Sequence, residues 1–158
     1  MTAQTSAGST LRISLVAPTT FDESGYSTLF GASPAKPLVG EITDFGEFGR
    51  EYNEVTHNPV ATRGTQKFKG SFNEGQMNLQ MALDNNDDGQ IDMKTALNSD
   101  DDAYFELTLQ NGDAYYFAAK VMMFKTVVSN VDSITNASAT LSLTTNSAGV
   151  GIVEVAAA

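Results

Sequence analysis

QKFKGSFNEGQMNLQMALDNNDDGQ, residues 66–90, decides the fold. Met77, Leu79, Met81 and Leu83 alternate with Asn78, Gln80 and Ala82. A period of two gives a strand with one dry face and one polar face. QKFKGSF (66–72) precedes it, and the three-residue connection NEG (73–75), with Gly75, suits a β-hairpin.

Two chemistries compete for the next letters, DNNDDGQID (84–92). Asp84, Asn86 and Asp88 offer alternate oxygens, Gly89 and Ile91 follow as in an EF-hand loop, and Asp92 adds one oxygen more. The twelfth position from Asp84 should be a bidentate Glu but is Thr95, and the segment before alternates as a strand, not a helix. Helix capping explains the same spelling. Asp87 accepts the amide of Gln90, the Gln90 side chain reaches back to the amide of Asp87, and Asp87 and Asp88 face the positive end of the helix dipole. The helix covers about 88–97, with Met93, Ala96 and Leu97 on one face. The expectation is a capped helix with no metal; calcium on Asp84, Asn86, Asp88 and Asp92 is the alternative.

Working outward, TLRISLVA (10–17) alternates Leu11, Ile13 and Leu15 against Arg12 and Ser14. Residues 19–37 are rich in turn formers and keep no period. PLVGEITDFG (37–46) holds a short strand, with Gly40 at a bulge or close backbone approach. From Glu47 to Gln66 the chain is polar and broken by Asn58-Pro59 and Arg63-Gly64, and about 44–66 reads as one long loop. AYFELTLQ (103–110), the turn NGD (111–113) and AYYFAAKVMMFK (114–125) form a second hairpin. A turn near 129–133 leads to SATLSLTTN (138–146). The reading is one domain, 1–158: a mainly β sandwich or barrel of about 7–8 strands flanked by one short helix. Residues 1–10 read as a flexible arm and 147–158 as a second arm or a last strand.

Composition narrows the function. A chain of 158 residues builds a core without staples, and the absence of Cys excludes disulfides, thiolate metal sites and a cysteine nucleophile. A formal net charge of −10 opposes ordinary nucleic-acid binding. No apolar run approaches a membrane span, and the first ten residues lack the basic and apolar regions of a signal peptide. His57 is the single His and sits beside Asn58-Pro59 with no nucleophile signature, which reads as a surface His. Asp100, Asp101 and Asp102 read as a solvated loop. Asn136-Ala137-Ser138 spells a glycosylation acceptor without a secretion signal beside it. Neither catalytic residues nor a cofactor site are expected. The basic residues Arg63, Lys67 and Lys69, with Glu47, Arg50, Glu51 and Glu54, suit pairing with another subunit.

In order and wording these pieces resemble the major tail tube proteins of long-tailed, non-contractile (lambda-like) bacteriophages. The resemblance spans roughly Leu38 to Thr145. Its most specific piece is KGSFNEGQMNLQMALDNNDDGQ (69–90): a Lys-Gly-Ser hairpin, an alternating strand, and an Asp-x-Gly-Gln helix start. VGEITDFGEFGREY (39–52) and AYFELTLQNGDAYYFAAKV (103–121) match in order, while DNNDD is more acidic than the family's pattern. The resemblance implies a structural virion protein whose hexameric rings stack into a hollow tube that conducts DNA at ejection. It implies that 44–66 reaches the neighbouring ring, that tape-measure protein and DNA fill the lumen, and that terminator and tip proteins close the ends. Assembly would take place in the host cytoplasm, without a membrane. An acidic lumen would repel the DNA backbone. Asn78, Gln80, Glu106 and Asp113 are the expected lumen-facing residues. The alternatives are a calcium-dependent or carbohydrate-binding β-sandwich module and the secreted tube protein of a contractile injection system.

Overall fold

The computed structural model describes residues 3–32 and 35–157. In chain order these form β1 (Thr10–Ser14), α1 (Glu23–Gly31), β2 (Ile42–Asp44), β3 (Glu51–His57), β4 (Gln66–Asn73), β5 (Gln76–Ala82), α2 (Asp88–Leu97), β6 (Ala103–Thr108), β7 (Ala114–Val127), β8 (Asn136–Thr144) and β9 (Val153–Val155). The architecture is mainly β and sandwich-like.

The alternating segments build one antiparallel sheet in the order β1-β6-β7-β8-β5-β2. Strand β7 is long enough to hold two partners on one edge: β9 beside Ala114–Tyr116 and β8 beside Ala118–Val127. Register carries the apolar set across the sheet. Ile13 opposes Phe105, which opposes Phe117; Leu141 opposes Met77, and Ala139 opposes Leu79. Each of these side chains is buried. Full burial of one such large side chain stabilises the fold by about 2 kcal/mol, so the dry face is the main source of stability.

Residues 37–44 join the two edges of that sheet. Val39 donates to the carbonyl of Leu11 at 2.8 Å, and Ile13 donates to that of Pro37 at 3.1 Å. A few residues on, Ile42 pairs with Met81, and Ala82 donates to the carbonyl of Glu41 at 2.9 Å. One short segment thus satisfies an edge of β1 and an edge of β5 and draws the sheet round. Glu41, at φ 62, makes the bend between its two halves.

Helix α2 adds Met93 and Ala96 to the main core. Its cap is Asp87, whose carboxylate accepts from Gln90 N at 3.0 Å. The Gln90 side chain does not reach the Asp87 amide, which donates instead to Asp84 O. It is fully buried; its Oε1 accepts from Asp84 N, and its Nε2 donates to the carbonyls of Gly40 and Ala82. Gly89 lets the helix start this close to the 37–44 segment, because a Cβ there would lie 2.1 Å from Leu38 O.

Four expectations are corrected. A second helix, α1, occupies part of 19–37. Asp22 caps it by accepting from Gly25 N at 2.8 Å, and Tyr26 and Phe30, one turn apart, lie on Ala114 and Tyr116 of the sheet's other face. Ser, Gly and Thr make it a poor helix former in isolation, so packing decides. β4 does not pair with β5; its partner is β3, while β5 is held by β8 and β2. Residues 44–66 are not loop throughout, since β3 lies within them and Phe45 and Phe48 pack on the core. Finally, β1 stops at Ser14, whose hydroxyl turns to Val16 O at 2.9 Å, and Leu15 is exposed.

Of the segments expected as arms, Gln4 Oε1 accepts from Asn111 N at 3.0 Å, and 153–155 form β9 on β7. Met1, Thr2 and Ala158 lie outside the described residues.

Candidate functional site

The β3–β4 hairpin is a separate two-stranded sheet on the side of the barrel. Every residue of β3 is exposed, and none of the hairpin's residues belongs to either core cluster. Tyr52, Val55 and Phe68 each leave about half of their surface in water, and Val60 in the turn is fully exposed. Isolated two-stranded ribbons are marginal in water, so this one has surface to bury elsewhere.

At its root sits a carboxylate that the sequence did not single out. Glu74 is 2% exposed. Its Oε1 meets Arg50 Nε at 2.6 Å, and its Oε2 accepts from Ile152 N at 2.7 Å. The Glu74 hydrogen bond, then a weaker one to Tyr52, pushes the Arg50 guanidinium above its ordinary value. Arg50 also stacks over Phe72 at 4.0 Å. Gly75, at φ 86, makes the turn from β4 into β5. Glu74 therefore ties hairpin, barrel and C-terminal segment together. Its only sequence signal was a charged residue inside a turn tripeptide.

Beside Glu74 lies an open groove of about 770 Å³, with Phe48, Leu109, Tyr115 and Ile152 as its apolar part and Glu47 and Glu154 among its polar residues.

The residues expected at a subunit interface fall into two groups. Arg50 is held by Glu74, Lys67 meets Glu54 at 3.5 Å across the hairpin, and Lys69 lies over the Tyr52 ring at 5.0 Å. Glu47, Glu51 and Arg63 have no ion-pair partner among the described residues. His57 is exposed at the end of β3, opposite Gln66.

The expected lumen residues separate as well. Gln76, Asn78 and Gln80 of β5 stand beside Ser142, Thr140 and Ser138 of β8 on a face that no helix covers, and Thr140 donates to Asn78 Oδ1 at 2.9 Å. Glu106 belongs to the same face by register, but its end lies under α1: Tyr116 opposite it is 6% exposed. Its carboxylate is 3.8 Å from Arg12. Asp113 sits in the β6–β7 turn, where bonds from Ala157 N and then Asn111 hold its carboxyl below its ordinary value. On β7 the open face carries Lys120 and Lys125. The pair with Asp102, at 2.5 Å, holds the Lys120 ammonium above its ordinary value.

Within 84–92, Asp84, Asn85 and Asp87 use side-chain oxygens in local structure. Asp84 accepts from Asn86 N, Asn85 from Lys94 Nζ, and Asp88 and Asp92 are in α2. Among the described residues no three His, Cys, Asp or Glu side chains gather at metal-binding distance.

No family model matches the chain, and no curated protein sequence matches it. Solved structures do. A chain in the extended-state sheath/tube terminator structure of an extracellular contractile injection system, PVC, aligns with TM-score 0.68 and 9% identity over 99% of both chains. A chain in the six-fold symmetrised baseplate of the anti-feeding prophage aligns with TM-score 0.67 and 9% identity, over 98% of this chain and 97% of the other. The fold is therefore one found in a contractile injection system's sheath/tube terminator structure and in an anti-feeding prophage baseplate, whereas the sequence resemblance was to non-contractile tails.

Proposed function

We propose that this chain is a structural subunit of a tail tube. Six copies form a ring, rings stack into a hollow tube in the virion tail, and the lumen conducts genomic DNA, with tape-measure protein inside it beforehand. Terminator and tip proteins close the ends. The observation that carries the reading is the β3–β4 hairpin, exposed over all of β3 and most of β4, on a β framework whose fold recurs end to end in the two neighbouring chains. A hairpin with unpaired edges and exposed aromatic residues is suited to continue into a neighbouring copy. The open β5–β8 face supports a lumen role. Along those two strands it presents amides and hydroxyls and no carboxylate. With Lys120 and Lys125 on β7 and Arg12 of β1 beside Glu106, it also lacks the continuous basic track that would hold phosphates.

The terminator structure favours a second reading, a tube-end component of a contractile injection machine. Negative-stain microscopy of the purified protein separates the two. Long hollow tubes support the tube subunit, isolated rings that do not stack support an end component, and monomers at high concentration contradict both.

A further inference from the structure

We infer that the β3–β4 turn of one copy plugs into the groove at the hairpin root of a second copy, with Val60 entering the apolar part and Arg63 meeting Glu47 and Glu154. The inference rests on the tube reading and names the contact that stacks its subunits.

The turn, residues 58–65, carries an apolar side chain wholly in water, Val60, and a cation without an ion-pair partner among the described residues, Arg63. The groove offers the complement. Phe48, Leu109, Tyr115 and Ile152 give apolar surface, and Glu47 and Glu154 give two carboxylates also without an ion-pair partner among the described residues. Arg50 and Glu74 in the same groove neutralise each other, so the groove keeps the charge of Glu47 and Glu154, opposite in sign to Arg63. A turn cannot enter the groove of its own chain. The seven residues of β3 hold it about 20 Å from the root at a strand's rise per residue. Plug and socket thus sit at opposite ends of one extended projection. Such a joint is head-to-tail, and a head-to-tail joint that does not close on itself propagates without limit, as a stack requires.

The chain has no cysteine, so Val60→Cys with Leu109→Cys introduces its only two thiols. Treated with a short bis-maleimide after assembly, the double variant should give covalent ladders longer than dimers, while each single variant, whose thiol faces no second thiol in the joint, should stay monomeric. Tubes without a ladder overturn the plug and socket and leave the tube reading standing. Neither tubes nor ladder overturns both. As a second arm, Arg63→Glu should lower sedimentable tube roughly tenfold, and adding Glu154→Arg should restore it. Normal assembly of the Arg63→Glu protein overturns the inference.

Discussion

Asp87 Oδ2 accepts the backbone amide of Gly40 at 3.0 Å, across 47 positions of sequence, while accepting the α2 amide of Gln90 at the same length. The helix cap is therefore also the anchor of the segment that joins the sheet's edges. Asp87→Ala should cost about 2 kcal/mol, roughly a cap plus one further hydrogen bond. Urea denaturation measures it. A loss no larger than that of an ordinary exposed cap would show that the Gly40 bond contributes nothing.

Gln90 should be costlier. Gln90→Met keeps the volume but strands Asp84 N and the carbonyls of Gly40 and Ala82. At about 1 kcal/mol for each abandoned group, the loss is about 3 kcal/mol. The double variant with Asp87→Ala should lose less than the sum, because both side chains hold Gly40. Additive losses would contradict a shared anchor.

Chelation should change nothing. Asp84 and Asp87 are engaged in a turn and in capping, and Asp88 and Asp92 are carried apart on α2. The thermal midpoint in excess chelator should equal that in millimolar calcium, since an ion bound tightly to the native state alone would raise it by mass action. A rise of many degrees with calcium would restore the ion-binding reading of this stretch.

Alkali should loosen α1. Burial, then the charges of Tyr104 and Asp102, pushes the Tyr26 hydroxyl well above its ordinary value, and burial raises Tyr116 and Tyr104 as well. The folded state thus holds protons that the unfolded chain releases above about pH 10. The contribution is fully present below that pH and is lost as pH rises toward the folded values. Tyr26→Phe removes one such group and should move the alkaline unfolding midpoint upward, followed by circular dichroism. An unchanged midpoint would mean that α1 does not govern the transition.

Shortening the hairpin should spare the barrel. Replacing Glu54–Lys69 by an Asn-Gly turn removes no residue of either core cluster and leaves Phe48, Arg50 and Glu74 in place. The product should be a soluble monomer whose melting temperature matches the parent's within a few degrees, and it should form no tubes. Tubes at normal yield would remove the hairpin from assembly.

What the sequence made legible followed from periodicity. Met77-Leu79-Met81, Phe105-Leu107 and Leu141-Leu143 each announced a strand, because a sheet with one dry face leaves no other arrangement for such a pattern. Periodicity names faces and not neighbours. Nothing in QKFKGSF told that its partner lay upstream at 51–57, since that pairing is decided by β8 and β2 already filling the edges of β5. Helix α1 was hidden because its Tyr26 and Phe30 matter only against Tyr116, and Glu74 because a buried carboxylate is defined by the Arg50 and Ile152 it meets. Glu106 shares a face with Asn78, but coverage by α1 is a tertiary fact that alternation does not contain.

The bareness of the β3–β4 ribbon bears on how a tube would begin. Its strands bond only to each other, so beyond its root little in the described residues holds it still. A contact that covers it must first offset the entropy of holding it still. The earliest copies to meet bear that cost with few neighbours in return, while a copy joining a formed ring finds its site already ordered. Initiation would then be slow and elongation fast. Free subunits could stand in solution above the concentration at which a finished tube is stable, waiting for a seed that presents the first ordered ring.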